Sequence, residues 1–162
     1  MTSNDDVYFV PALTGLGSPY WDPYARGALL GLTRGTGRAQ IVRATLEAIA
    51  YQTVDAVRAQ EAASGEAIRA LRADGGAVVN EWLMQFQADA LGVPVIVPEI
   101  AETTALGAAY LAGIATEVWT EEGVAAMWRE RATYEPRISA DERESLIARW
   151  HQAVERSRGW AS

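Results

Sequence analysis

The chain has no cysteine at all among its 162 residues. That excludes a disulfide framework, a thiolate zinc site and a cysteine nucleophile. Only one histidine is present, His151, so a histidine-based metal centre of the usual kind is excluded too. Basic residues are in deficit: 14 Lys and Arg stand against 21 Asp and Glu, for a net charge of -7. A protein that neutralises nucleic-acid phosphates needs a basic face, so nucleic acid is not the expected partner. No apolar run approaches the roughly 20 residues of a membrane helix. The opening Ser3-Asn4-Asp5-Asp6 is polar and acidic, unlike a signal peptide. A cytoplasmic location is the resulting expectation.

What is present is the balance of a globular domain. Hydrophobic residues make up 49% and charged residues 22%, which is neither a disordered tail nor a fibrous repeat. No internal repeat and no low-complexity linker interrupts the chain.

Short β-branched or apolar runs alternate with longer segments of helical period. Val7–Val10 reads as a strand, and residues 14–26 read as a structured loop rich in glycine, proline and aromatics. A second strand is expected over Ala28–Leu32. From Arg38 to Ala63, Ile41, Ala44, Thr45, Ala48, Ile49, Gln52, Thr53 and Ala56 recur at three- and four-residue steps, which predicts a helix ended by Gly65. A strand is expected over Ile68–Ala73, a helix over Asn80–Leu91 stopped by Gly92, and a strand over Val93–Val97, with Pro94 at an edge or a strand start. Thr104–Ile114 reads as a small-residue helix whose glycines imply close packing. Glu121–Glu130 reads as a short helix and Tyr134–Arg137 as a turn. Ser139–Ser157 reads as a final amphipathic helix, with Ser139 as N-cap and Glu142 three residues on. The alternation argues an α/β fold of short strands packed with helices.

The segment with most chemical promise is Asp74-Gly75-Gly76-Ala77-Val78-Val79-Asn80, between a predicted strand and a predicted helix. Adjacent glycines let a backbone approach a ligand closely and adopt conformations closed to other residues. A helix beginning just beyond them offers free N–H groups. Asn80, one turn on, can both donate and accept hydrogen bonds to a purine or ribose. The same pattern also serves as a plain tight turn, and it is neither a dinucleotide fingerprint nor a P-loop.

Other polar residues read as structural. Asp22, before Pro23, favours a turn with Trp21 and Tyr24 packed beside it. Arg26 and Arg34 suit phosphate or local carboxylates, and surface pairing is the commoner outcome. Glu47 is spaced to pair with Arg43. His151 reads as a surface residue of the last helix, and the six tryptophans as core and interface residues.

Several runs resemble the glycerol kinases of the FGGY carbohydrate kinase family. They are the whole of residues 7–27, which include Thr14-Gly15-Leu16-Gly17-Ser18-Pro19-Tyr20-Trp21-Asp22-Pro23; then Gly27-Ala28-Leu29-Leu30-Gly31-Leu32, Gln40-Ile41 and Ala44-Thr45-Leu46-Glu47-Ala48-Ile49-Ala50-Tyr51-Gln52-Thr53; then Asp74-Gly75-Gly76-Ala77-Val78-Val79-Asn80 with Leu83-Met84-Gln85-Phe86-Gln87; and Thr103-Thr104-Ala105-Leu106-Gly107-Ala108-Ala109-Tyr110-Leu111-Ala112-Gly113. The order is unbroken through Gly113, and the likeness thins after Val118.

The resemblance implies part of an actin-like, ribonuclease H-like ATPase domain over residues 1–162, incomplete at its amino-terminal side. It implies ATP-dependent phosphorylation of glycerol, with magnesium held mainly by the part of the enzyme that is missing here. It places the adenosine against the double-glycine turn: Gly76 and Asn80 touch the nucleotide, and Gly75 and Ala77 shape the turn. Members of the family are much longer, and their glycerol pocket, their catalytic aspartate in Gly-Asp-Gln and their phosphate loop in Gly-Thr-Gly lie upstream. This chain has no Gly-Asp-Gln, and its one Gly-Thr-Gly, Gly35-Thr36-Gly37, lacks the phosphate-loop context. The expectation is therefore no catalytic residue and no metal ligand in this chain, ATP or ADP as partner, and no activity alone. Uncovered sheet edges and apolar surface predict self-association. A fragment of another sugar kinase of the family, and a non-catalytic nucleotide-binding or regulatory module pairing with a separate chain, remain as alternatives.

Overall fold

A computed structural model describes residues 3–161. The elements run β1 (Tyr8–Val10), β2 (Ala28–Leu30), α1 (Arg38–Ser64), β3 (Leu71–Arg72), a 3-10 turn (Gly76–Val79), α2 (Glu81–Leu91), β4 (Val95–Pro98), α3 (Thr103–Ala115), α4 (Glu121–Met127), β5 (Glu130–Tyr134) and α5 (Ala140–Ser157). The mixed α/β order agrees with the alternation seen in the sequence.

The strands form two small sheets. β1 and β2 pair antiparallel, with Tyr8 opposite Leu30 and Val10 opposite Ala28. β4 is the centre of the second sheet, parallel to β3 on one side and antiparallel to β5 on the other. Pro94 stands just ahead of β4, at the strand start and not at a sheet edge; its carbonyl accepts from Leu71 N at 2.9 Å, a role that needs no N–H of its own.

Three sequence expectations change here. The predicted helix over Glu121–Glu130 ends at Met127. The turn expected over Tyr134–Arg137 begins inside a strand, because Glu130–Tyr134 form β5, held by pairing with β4. Val97 faces Ala132 across that pair, just before a bulge at Pro98. The strand expected over Ile68–Ala73 shrinks to Leu71–Arg72.

Both sheets share one core. The inward face of α1 supplies Ala48, Tyr51 and Val54, and α2 supplies Leu83, Met84 and Phe86. α5 adds Ile147, Trp150 and Val154, and the strands add Val10, Val95 and Val97. Tyr51 is the hub: its ring stacks on Trp150 with centroids 5.4 Å apart and meets Phe86 edge-on at 5.5 Å.

The helix ends follow their local chemistry. Ser139 Oγ accepts from Glu142 N at 3.1 Å, as its N-cap position predicts. Gly65 and Gly92 close α1 and α2 in the left-handed region, at φ 74° and 76°.

Candidate functional site

The double-glycine segment sits where the parallel pair β3–β4 ends. Leu71 N donates to Pro94 O and Ala73 N to Ile96 O, so β3 is held against β4 up to the turn itself. Gly75 N then donates to Ala101 O at 2.8 Å, tying the turn to the loop ahead of α3. Gly75 has φ 80° and ψ -177°, a conformation that side chains disfavour, and a Cβ built on Gly75 or Gly76 would meet nothing within 4 Å. The glycines here answer the backbone conformation and leave open space; they do not answer a crowded neighbour.

Beyond them the chain makes a single 3-10 turn, with Val78 N donating to Gly75 O and Asn80 N to Ala77 O. Val78 is buried and pins the turn to the core, and the guanidinium of Arg131 on β5 donates to Val78 O at 2.9 Å. Gly76 and Ala77 stay exposed, and Gly75 and Asn80 are half-buried. The bend is thus anchored from beneath and open above.

Asn80 departs from the expectation of a side chain wholly available to a ligand. It is the N-cap of α2: its carboxamide oxygen accepts from Leu83 N at 3.1 Å. Among the described residues its amide nitrogen has no such bond, so what it can offer outward is a donor. Asp74 before the turn and Glu81 in the first turn of α2 are both exposed acids. Glu81 offsets the positive end of the α2 dipole, and Asp74 adds a second negative charge ahead of the turn.

A cavity of about 470 Å³ opens nearby, between the ends of β3 and β4 and the helices α3 and α4. Arg72, Thr103, Leu106, Tyr110 and Trp128 line it, and the Arg72 guanidinium lies 4.6 Å from the Trp128 ring centre. Gly75, Gly76, Ala77 and Asn80 do not line it. Among the described residues no group of three or more His, Cys, Asp and Glu is placed to hold a metal ion.

The remaining sequence candidates take structural places. Asp22 holds a turn: one carboxylate oxygen accepts from Tyr24 N and Ala25 N, the other from Gly159 N. Desolvation raises its pKa, but these backbone donors and Arg158 outweigh that and hold the carboxyl below its ordinary range. Trp21 and Tyr24 do not pack beside it as expected; both side chains are exposed, because the turn directs them outward. Arg26 donates to the carbonyls of Pro23 and Ala25. Glu47 pairs with Arg43 at 2.7 Å and accepts from Asn4; burial pushes its pKa up against both partners. Gly35-Thr36-Gly37 closes a turn through Thr33 and Thr36 and ends as the N-cap of α1.

His151 is not the free surface residue that its neighbours imply. Its Nε2 lies 2.7 Å from Asp55, a carboxylate buried in α1 that also accepts from Trp150 Nε1 and the Tyr20 hydroxyl, each at 2.7 Å. Burial and the Asp55 hydrogen bond push the Tyr20 hydroxyl well above its ordinary range. Sequence reasoning missed Asp55. The available signal was its position: 44, 48, 51 and 55 are one face of a helix, and an acid on that apolar face needs buried donors.

Residues 2–116 match the model of the FGGY family of carbohydrate kinases, C-terminal domain. Curated relatives include the glycerol kinase of Symbiobacterium thermophilum, 60% identical over 96% of this chain and 32% of its own length. That of Dechloromonas aromatica is 57% identical over 100% of this chain and 32% of its own length. The chain therefore spans about a third of the relatives it matches. Among solved structures, the Plasmodium falciparum glycerol kinase with ADP superposes with a TM-score of 0.86 at 35% identity, covering 97% of this chain and 32% of that one. A xylulose kinase from Lactobacillus acidophilus gives 0.77 at 25% identity, covering 98% and 33%. These neighbours share the actin-like ATPase fold, and the chain belongs to the FGGY family of carbohydrate kinases, as its C-terminal domain.

Proposed function

We propose that this chain is the nucleotide-binding, carboxy-terminal part of a glycerol kinase, and that Gly75, Gly76, Ala77 and Asn80 take the purine–ribose end of ATP or ADP. The observation that carries the reading is the open bend at Gly75–Gly76, anchored by Val78 and Arg131 and left clear above both glycines. Support comes from its likeness to a glycerol kinase solved with ADP. Glycerol is preferred over other sugars because the curated relatives at 53% to 60% identity bear that name.

In this reading the reaction moves the terminal phosphoryl group of ATP to a glycerol hydroxyl, a step governed by positioning and charge stabilisation. Gly75 and Gly76 admit the nucleoside, Ala77 limits the turn with a single methyl, and the Asn80 amide donates to it. The adjacent acids, Asp74 and Glu81, leave the phosphates to residues outside this chain. Magnesium, which would neutralise those phosphates, belongs with the same outside residues, as do the glycerol pocket and the general base. The whole enzyme works in the cytoplasm, where ATP is supplied.

The chain is inactive alone in this account. A coupled assay with ATP, magnesium and glycerol is expected to show no turnover above background, while calorimetry with ADP detects weak binding. Steady phosphorylation of glycerol by the pure chain would contradict the first part. Absence of any ADP binding at millimolar concentration would contradict the second.

A further inference from the structure

The turn from Gly75 to Asn80 holds itself weakly. Its internal backbone bonds, Val78 N to Gly75 O at 3.2 Å and Asn80 N to Ala77 O at 3.1 Å, are those of a single 3-10 turn. The two glycines at its start restrict the backbone less than any other residue. One fixed conformation therefore needs ties from outside. Gly75 N gives one, to Ala101 O at 2.8 Å. Arg131 gives another from 53 residues further along the chain, its Nη2 donating to Val78 O at 2.9 Å. Val78 is buried and stands ahead of α2, whose ladder opens with Met84 N donating to Asn80 O. The helix thus offers the Val78 carbonyl no donor, and a buried carbonyl left without one is costly.

β5 is shaped to make this reach. Val97 stands opposite Ala132 and Pro98 opposite Glu130, so Arg131 is the extra residue of a bulge. In a regular strand Glu130 and Thr133 point to opposite faces. Here Thr133 Oγ1 donates to Glu130 Oε1 at 2.7 Å, so the alternation is broken at this point. The break frees the Arg131 side chain to leave the sheet and meet the turn. The neighbouring arginines are used elsewhere: Arg129 donates to the carbonyls of Ala126 and Trp128, and Arg72 lies over the Trp128 ring.

We infer that Arg131 is a positioning residue for the nucleoside: the bulge in β5 aims its guanidinium at the Val78 carbonyl, and that bond holds Gly75, Gly76 and Ala77 in the conformation that meets the ligand. The inference rests on the proposal that this turn takes the purine–ribose end of the nucleotide. Arg131 acts through Val78 and does not touch the ligand. Its bond preorganises the turn, so the cost of ordering two glycines does not fall on binding. Its positive charge is not what the ligand reads, so the effect is the same with and without phosphates.

The test titrates the isotope-labelled chain with ADP and, separately, with adenosine, following the amides of Gly75, Gly76 and Ala77. Arg131→Met keeps the apolar stem and removes the donor. It is expected to weaken ADP and adenosine by the same factor, at least about fivefold, with the urea unfolding midpoint close to wild type. Arg131→Lys keeps one donor and is expected to bind both within about twofold of wild type. Equal affinity in Arg131→Met and wild type overturns this inference alone. A loss confined to ADP overturns it too, since Arg131 would then act on the phosphates. So does a loss matched by a proportionate fall in the unfolding midpoint, since Arg131 would then serve the fold and not the site. No saturable shift at the three amides of the wild-type chain overturns the nucleotide reading and this inference with it. If Arg131→Met does not fold, Arg131→Gln, too short to reach Val78 O, is judged by the same outcomes.

Discussion

The region built by α1, α2 and α5 and the region built by α3 and α4 differ in a way that apolar content does not foretell. α3 has no charged side chain in its 13 residues, yet Gly113 is the one residue in it that is fully buried. α5 is rich in charge, yet it buries Ile147, Trp150, Ala153, Val154 and Ser157. The core lies where amphipathic faces meet and where buried polar groups find partners, as Asp55 does with Tyr20, Trp150 and His151. Apolar sequence without an opposing face stays exposed. Gly113 illustrates the one tight contact on α3: a Cβ there would run into the Trp119 ring, whereas Gly107 faces open space. The close packing expected of both glycines holds for one of them.

Substitutions should separate the two regions. Trp150→Ala removes the Tyr51 stacking partner and the Asp55 donor together, and is expected to cost about 3–5 kcal/mol in urea unfolding. A loss under half of that would show that α5 is not a core element. Asp55→Leu strands the Tyr20 hydroxyl, Trp150 Nε1 and His151, and is expected to cost about 2–4 kcal/mol. If Asp55→Leu equals wild type, the carboxylate is not what joins α1 to α5.

Asn80→Ala removes the α2 N-cap and should cost about 1 kcal/mol by the same measurement. Leu111→Ser, 71% exposed on α3, should stay within about 0.5 kcal/mol of wild type. A large loss there would erase the contrast. The smallest effect concerns acid. Asp22 has a folded pKa below its ordinary 3.8, so its contribution is complete above that value and is lost as pH falls through the folded pKa. Asp22→Asn should therefore flatten the acid limb of a stability-against-pH curve below 3.8, and leave the slope above it unchanged.

What the sequence makes legible is local. The three- and four-residue recurrence places α1, the Ser139 cap places α5, and Gly65 and Gly92 end their helices. β5 was hidden because Glu130-Arg131-Ala132-Thr133-Tyr134 is mostly exposed and owes its shape to pairing with β4, not to its own apolar pattern. Its concealment also hid Arg131, whose bond to Val78 steadies the double-glycine turn. The Asp55 cluster was hidden by distance, since Trp150 and His151 lie 95 and 96 residues away along the chain. The turn at Gly75–Gly76 was visible as a conformational need, whereas the use of Asn80 as a cap emerged only once α2 began at Glu81.

Amide resonances of the isotope-labelled chain, followed during titration with ADP, test most directly whether this turn receives a nucleoside. Gly75, Gly76, Ala77 and the Asn80 side-chain amide are expected to shift first and saturably, with Leu111 and Ile49 unmoved. Saturable shifts confined to Arg72, Thr103 and Trp128 around the neighbouring cavity, with the glycines silent, would contradict it.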